Sequence, residues 1–213
     1  HNKICSKMKE KINSKKLEEA NIKFFAKIAK IYDKILFNRI KNYRIKKTLE
    51  FANVKKNSKI FDIGCGTGSL LYSLSKDNSL ELNGIDLSKE MIKIARKKLK
   101  NKALLKIGNI ENLSKNYRND YFDYIFIEDA FHHLPNQDKL VVKIKNLLNK
   151  NGKLVICDLS FGKIGNIIFH KLEPGNSKMY NIEEYKKLFE ENKFKNIKQE
   201  NFGLISVYTE GNK

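Results

Sequence analysis

From Lys59 onward, short apolar runs alternate with amphipathic stretches, and that alternation limits what the chain can become. "KIFDI", "LELNGIDL", "ALLKI", "YFDYIFI" and "KLVICD" are strand-like, rich in aliphatic and aromatic residues. Between them lie helix-like segments. Ser69 to Lys76 is one. In "KEMIKIARKKLK", Met91, Ile92, Ala95 and Leu99 share a face behind an N-cap at Ser88. In "QDKLVVKIKNLLN", Leu140, Ile144, Leu147 and Leu148 share another. Strands apolar along their whole length and separated by helices require a parallel sheet covered on both faces. Asn151–Gly152 reads as a turn before the fifth strand. After helix "IEEYKKLFEEN", strands "FKNIKQE" and "LISVYTE" are joined near Gly203 by "NFG", too short for a crossover helix, so they must pair antiparallel.

Residues 1–52 read as helical. Leu17, Ala20, Phe24, Ile28, Ile31 and Ile35 recur at three- or four-residue steps, with no glycine or proline among them. This divides the chain into an N-terminal helical cap (1–52) and a larger domain (53–213). A glycine- and proline-containing loop region at about 159–180 is the expected substrate wall. There Phe161, Phe169 and Met179 offer apolar surface and His170 a titratable group.

Composition narrows the function less than it first suggests. A net charge of +19 invites a nucleic-acid reading. Yet only Arg39, Arg44, Arg96 and Arg118 among 43 basic residues are arginines, and lysine alone gives non-specific phosphate attraction without the bidentate fork that reads bases. Lys, Asn and Ile crowd the whole chain, as codon bias toward A and T would produce. Hydrophobic residues at 41% are enough for a packed core, and no apolar run reaches the ~18 residues of a membrane span. The first residues lack the apolar stretch of a secretory signal. Cys5, Cys65 and Cys157 have no metal-ligand spacing and read as free thiols of a reducing cytoplasm.

The first strand runs into "DIGCGTGSL". Glycines at the carboxyl end of a parallel strand allow close approach of a ligand to the backbone, and a following helix start would add amide donors. The dinucleotide pattern G-x-G-x-x-G fails, because Gly64 and Gly66 match but Ser69 stands where the third glycine belongs and Gly68 comes one early. No Gly-Lys-Ser/Thr follows, which excludes a P-loop. Asp62 would repel a pyrophosphate but suits an ammonium or sulfonium. The chemistry points to a zwitterionic cofactor with an amine and a carboxylate.

On these residues the chain resembles the class I S-adenosylmethionine (SAM)-dependent methyltransferases. "DIGCGTG" is similar to their first motif, "GIDLSKEMIKIARKK" to the second, "KIGNIENL" to the third, "FDYIFIEDAFHHL" to the fourth, and "LLNKNGKLVICD" to the helix and strand after it. "FFAKIAKIYDKI" resembles the N-terminal helix of the ubiquinone/menaquinone-type and type-11 small-molecule branch, where a Tyr-Asp pair, here Tyr32–Asp33, helps close the cofactor site. The resemblance implies an α/β, Rossmann-like fold. Its seven-stranded, mostly parallel sheet would have order 3-2-1-4-5-7-6, with the last strand antiparallel and helices on both faces. It also implies site roles. Asp62 would hold the cofactor's amino group, and Gly64, Cys65 and Gly66 would line its backbone. Asp86 would bind the ribose, with Leu87 beside it and Met91 as an apolar wall near adenine. Asn109 and the amide of Ile110 would read adenine, and Glu128 would face the methionine end. Asn109 stands where the third motif usually has aspartate, but its carbonyl can still accept the adenine amino group.

Methyl transfer is an in-line displacement for which the cofactor brings the activation and the protein the positioning. No metal is expected. Asp129, His132 and His133, just past the fourth strand, are the candidate bases. The fourth strand lacks the Asn/Asp-Pro-Pro-aromatic ending associated with methylation of exocyclic base amines. The expected acceptor is a small molecule, methylated at O, C or N, with the protein a monomer or homodimer away from membranes. An RNA methyltransferase, or a SAM-binding protein without transferase activity, is the alternative. Lysines gathered at the strand ends would favour RNA.

Overall fold

The structure, a computed structural model, describes residues 15–29, 38–109, 117–162, 165–166, 177–203 and 205–213. Two N-terminal helices, α1 (residues 15–29) and α2 (Asn38–Ala52), precede the alternating region. There follow β1 (Lys59–Ile63), α3 (Ser69–Leu74), β2 (Glu81–Asp86), α4 (Lys89–Leu99), β3 (Leu104–Ile107) and β4 (Phe122–Glu128). A single 3-10 turn (Phe131–His133) leads to α5 (Gln137–Leu147), β5 (Leu148–Leu159), α6 (Ile182–Glu191), β6 (Lys195–Asn201) and β7 (Ser206–Asn212).

The seven strands form one sheet in the order β3-β2-β1-β4-β5-β7-β6. β1 pairs in parallel with β2 and β4, and β4 with β5. β7 alone runs against its neighbours, antiparallel to both β5 and β6. The order and the reversed last strand are those implied by the motifs.

Period-two burial sorts the strand residues between two cores. Phe61, Ile63, Ile125, Ile127, Leu154 and Ile156 face α5 and α6. Ile60, Tyr124, Phe126, Val155, Cys157 and Tyr208 face α2, α3 and α4. Most of these side chains are fully buried. The helical faces match their expected residues. Met91, Ile92, Ala95 and Leu99 are buried on α4, and Ser88 caps that helix by accepting from the Met91 amide at 3.2 Å.

Three local expectations are corrected. The helix expected to Lys76 ends at Leu74 and has six residues. Leu148 opens β5 instead of closing the helix before it. The expected Asn151–Gly152 turn is a bulge within β5. Leu148 pairs with Phe122 and Lys153 with Tyr124, so β5 spends five steps where β4 spends two.

Between β1 and β4 the chain reverses its direction of travel across the sheet, out to β3 and back. Ligands of open α/β sheets bind beyond the carboxyl ends of strands at such a switch point.

Candidate active site

A pocket opens at that point. Its floor is the loop after β1. Gly64, Gly66 and Gly68 all take positive φ, at 74°, 49° and 75°. The amides of Gly64 and Cys65 both donate to the Ile85 carbonyl, at 2.9 and 3.1 Å, which ties the loop to the end of β2. A Cβ on Gly64 would stand 2.6 Å from Ala130 Cβ. One on Gly68 would meet Leu99 and Ala95 of α4 at 2.9 and 3.1 Å. The early third glycine therefore packs α3 against α4. Substituting Gly64→Ala puts a side chain at a left-handed φ and against the Ala130 methyl together, and should destabilise the protein by about 2 kcal/mol or more. Urea unfolding measures this, and an unchanged midpoint would refute the packing account.

The carboxyl ends of three strands bring acids to the pocket. Asp86 ends β2, and its carboxylate accepts from the Gly66 amide at 2.9 Å and the Ser88 amide at 2.8 Å. Burial raises its pKa, and those two amides oppose the rise. Asp62, in β1, is 2% exposed. Burial, helped by the nearby Asp86, pushes its pKa up to about 8. Glu128 ends β4 and accepts from Thr48 Oγ1 at 3.0 Å. Burial pushes it to about 8 as well, against the pull of Arg44. Asp129 follows at φ 57° and pairs through Oδ2 with Arg44 Nη2. Arg44, on α2, is 3% exposed and also donates to Ser206 Oγ at 3.3 Å. Burial would lower its pKa, but Asp129 and Glu128 override that and hold the guanidinium above its ordinary value.

The roof is α1. Glu18, Asn21, Ile22 and Phe25 line the pocket. Glu18 accepts from Asn109 Nδ2 at 2.6 Å, Asn21 Nδ2 donates to the His133 carbonyl at 3.2 Å, and the Phe25 ring meets His133 edge-on at 5.1 Å.

Nine of the candidate cofactor residues share this pocket: Asp62, Gly64, Cys65, Gly66, Asp86 and Leu87, with Met91, Asn109 and Glu128. Tyr32 and Ile110 lie outside the described residues, as do Phe169 and His170. Of the candidate bases, Asp129 and His133 line the pocket and His132 does not. The His132 ring is 1% exposed, and its Nδ1 lies 2.5 Å from Asp158 Oδ1. Asp158 also accepts from the His132 amide and the Tyr185 hydroxyl. Burial alone would raise the Asp158 pKa, but the His132 ring and backbone amides hold it below the usual carboxylate range. This geometry makes His132 an anchor of the wall behind His133. Arg44, Asn21 and Glu18 were not legible as site residues. Arg44 stood out only as one of four arginines.

The pocket fits a cationic, amine-bearing cofactor on its own chemistry. Asp62 and Glu128 are buried acids held near pKa 8. An ammonium or sulfonium nearby would favour their ionised forms.

A family model described as a methyltransferase domain matches residues 54–205. The chain belongs to that methyltransferase-domain family. Its curated relatives include the demethylmenaquinone methyltransferase of Bacillus velezensis, 30% identical over a 146-residue alignment that covers 64% of this chain and 61% of that protein. The chain thus spans about three fifths of the length of this relative. Among solved structures, the Haloferax volcanii complex between the Trm112 methyltransferase activator and its methyltransferase contributes a chain matched with a TM-score of 0.77 at 17% identity, covering 88% of this chain and 96% of that one. Haemonchus contortus phosphoethanolamine N-methyltransferase 2, solved with phosphomonomethylethanolamine and S-adenosylhomocysteine, matches with a TM-score of 0.68 at 18% identity, covering 81% and 52%. At those identities both structures speak for the fold of this methyltransferase-domain protein.

Proposed function

We propose that this methyltransferase-domain protein is an enzyme that moves a methyl group from SAM to a small-molecule acceptor by in-line displacement. The observation that carries the reading is the positive-φ glycine loop opening, beside Asp62 and Asp86, onto one pocket at the carboxyl ends of β1, β2 and β4. SAM would supply a methyl carbon already bonded to a sulfonium. Asp62 would hold its amino group, Gly64, Cys65 and Gly66 its amino-acid end, and Asp86 its ribose. Leu87 and Met91 would wall the adenine and Asn109 read it, while Glu128 would face the methionine end. Asp129 and His133 would meet the acceptor. Helices α1 and α2 would act as the cap that completes the site.

The charge of the pocket lining supports a small acceptor over RNA. Among the described residues Lys41 is the one lysine that lines the pocket, against five carboxylic residues. A phosphate backbone would meet acid there. Cys65 and Cys157 are buried free thiols, in keeping with a cytoplasmic setting. No helix among the described residues is long and apolar enough to cross a membrane.

Calorimetry with SAM and with S-adenosylhomocysteine tests the reading. Both should bind. Asp86→Ala should weaken both about 10²-fold, the worth of one or two charge-assisted hydrogen bonds. Unchanged affinity in that variant would remove Asp86 from the ribose, and binding of neither compound to the wild type would sink the enzyme assignment.

A further inference from the structure

Three buried oxygens around the pocket have no hydrogen-bond partner: Asn21 Oδ1, Glu128 Oε1 and Asp129 Oδ1. All three residues line it. The Glu128 side chain is 6% exposed and Asn21 is 5% exposed, while Asp129 keeps 20% of its side chain exposed with Oδ1 on the buried side. Buried acceptors left unmet cost about 1–3 kcal/mol each, so three beside one pocket call for donors that arrive with a ligand. The amide of Asn21 is oriented, because its Nδ2 already donates to the His133 carbonyl. Arg44 hydrogen-bonds none of these three atoms. Its fork is spent on Asp129 Oδ2 and Ser206, and its Nε stays 3.9 Å from Glu128 Oε1, beyond hydrogen-bond reach.

Resting on the SAM-dependent reading above, we infer that the methyl acceptor is an aliphatic amine on an apolar body, its N–H groups held by Asn21, Glu128 and Asp129. The cofactor brings one ammonium, for which Asp62 suffices, and the corner keeps its excess of acid once that group is placed. An anionic head would meet Glu128 and Asp129 directly. Ile22, Phe25, Ile45 and Leu134 on the other walls give the body an apolar seat. An aliphatic nitrogen has a localised lone pair and needs none of the special strand-four ending required for a delocalised base amine. The amine gives one proton to solvent, and its lone pair forms the N–C bond to the methyl carbon. As the C–S bond breaks, its electron pair stays on sulfur as a thioether. The product is a methylated ammonium that faces the same carboxylates.

The test needs no turnover. The protein is saturated with S-adenosylhomocysteine and titrated by calorimetry with 2-phenylethylamine, 2-phenylethanol and 3-phenylpropanoate. The amine should bind at least about tenfold more tightly than the alcohol, and the carboxylate most weakly. Asn21→Ala and Asp129→Asn should each shrink the amine's advantage severalfold while S-adenosylhomocysteine still binds, which reports an intact fold. An alcohol or carboxylate that equals the amine, or an amine that does not bind, overturns the inference alone. Failure of S-adenosylhomocysteine to bind at the outset overturns the cofactor reading and the inference with it.

Discussion

Replacing Arg44 with alanine should lower the thermal midpoint by roughly 6–20 °C. The estimate follows from the ~3–5 kcal/mol lost when one partner of a buried ion pair is removed, and ~2–4 °C per kcal/mol for a chain of this size. Arg44 fastens α2 to the ends of β4 and β7 at once, through Asp129, the neighbourhood of Glu128, and Ser206. Its loss strands two carboxyl groups. Asp129 keeps 20% of its side chain exposed and can hydrate, which places the cost in the lower half of the range. Arg44→Lys keeps the charge but not the fork and should lose about half as much. Thermal unfolding followed by circular dichroism decides the matter. A midpoint unmoved in Arg44→Ala would mean that the pair merely balances its desolvation.

The second large effect is on pH. In the free protein, burial holds Asp62 and Glu128 near pKa 8, so both are largely protonated at neutral pH. A sulfonium or ammonium prefers them ionised, and SAM binding should therefore release a proton. Below about pH 8 the affinity should rise up to tenfold per pH unit for each proton released, and level off above. Calorimetry in Tris and in phosphate should give different heats for the same binding. Equal heats, with a dissociation constant flat from about pH 6 to pH 8, would show that neither acid changes state. The same groups bear on the stability of the free protein with a definite sign. A carboxyl whose folded pKa is raised contributes stability that is fully present below its ordinary pKa near 4. That contribution is lost as pH rises through 8. The free protein's midpoint should fall across that window, and the stabilisation conferred by SAM should grow across it.

What could be read from the chain is what repeats locally. Strand runs, helical faces, the Ser88 cap and the glycine loop each announce themselves within a few residues, and the family resemblance their motifs carry ordered the sheet and gathered nine residues around one pocket. The contacts that complete the site have no local signature. Arg44 and Asp129 are 85 residues apart, Glu18 and Asn109 are 91 apart, and Asn21 and His133 are 112 apart. Nothing in the spacing of either partner marks the other. The two adjacent histidines were equally eligible as bases. Only the folded wall, with Asp158 and Tyr185 behind it, turns His132 inward and leaves His133 at the pocket.

The placement of β7 has a consequence for how the protein is made. β6 pairs with β7 alone, and β7 lies between it and β5. As the chain leaves the ribosome, β6 emerges first and finds no strand to join, while β5 waits with an open edge. Both are satisfied only when residues 206–212 arrive, so the sheet closes in one late event. Until then the nascent molecule carries two unpaired strand edges, the state in which such chains are most exposed to aggregation.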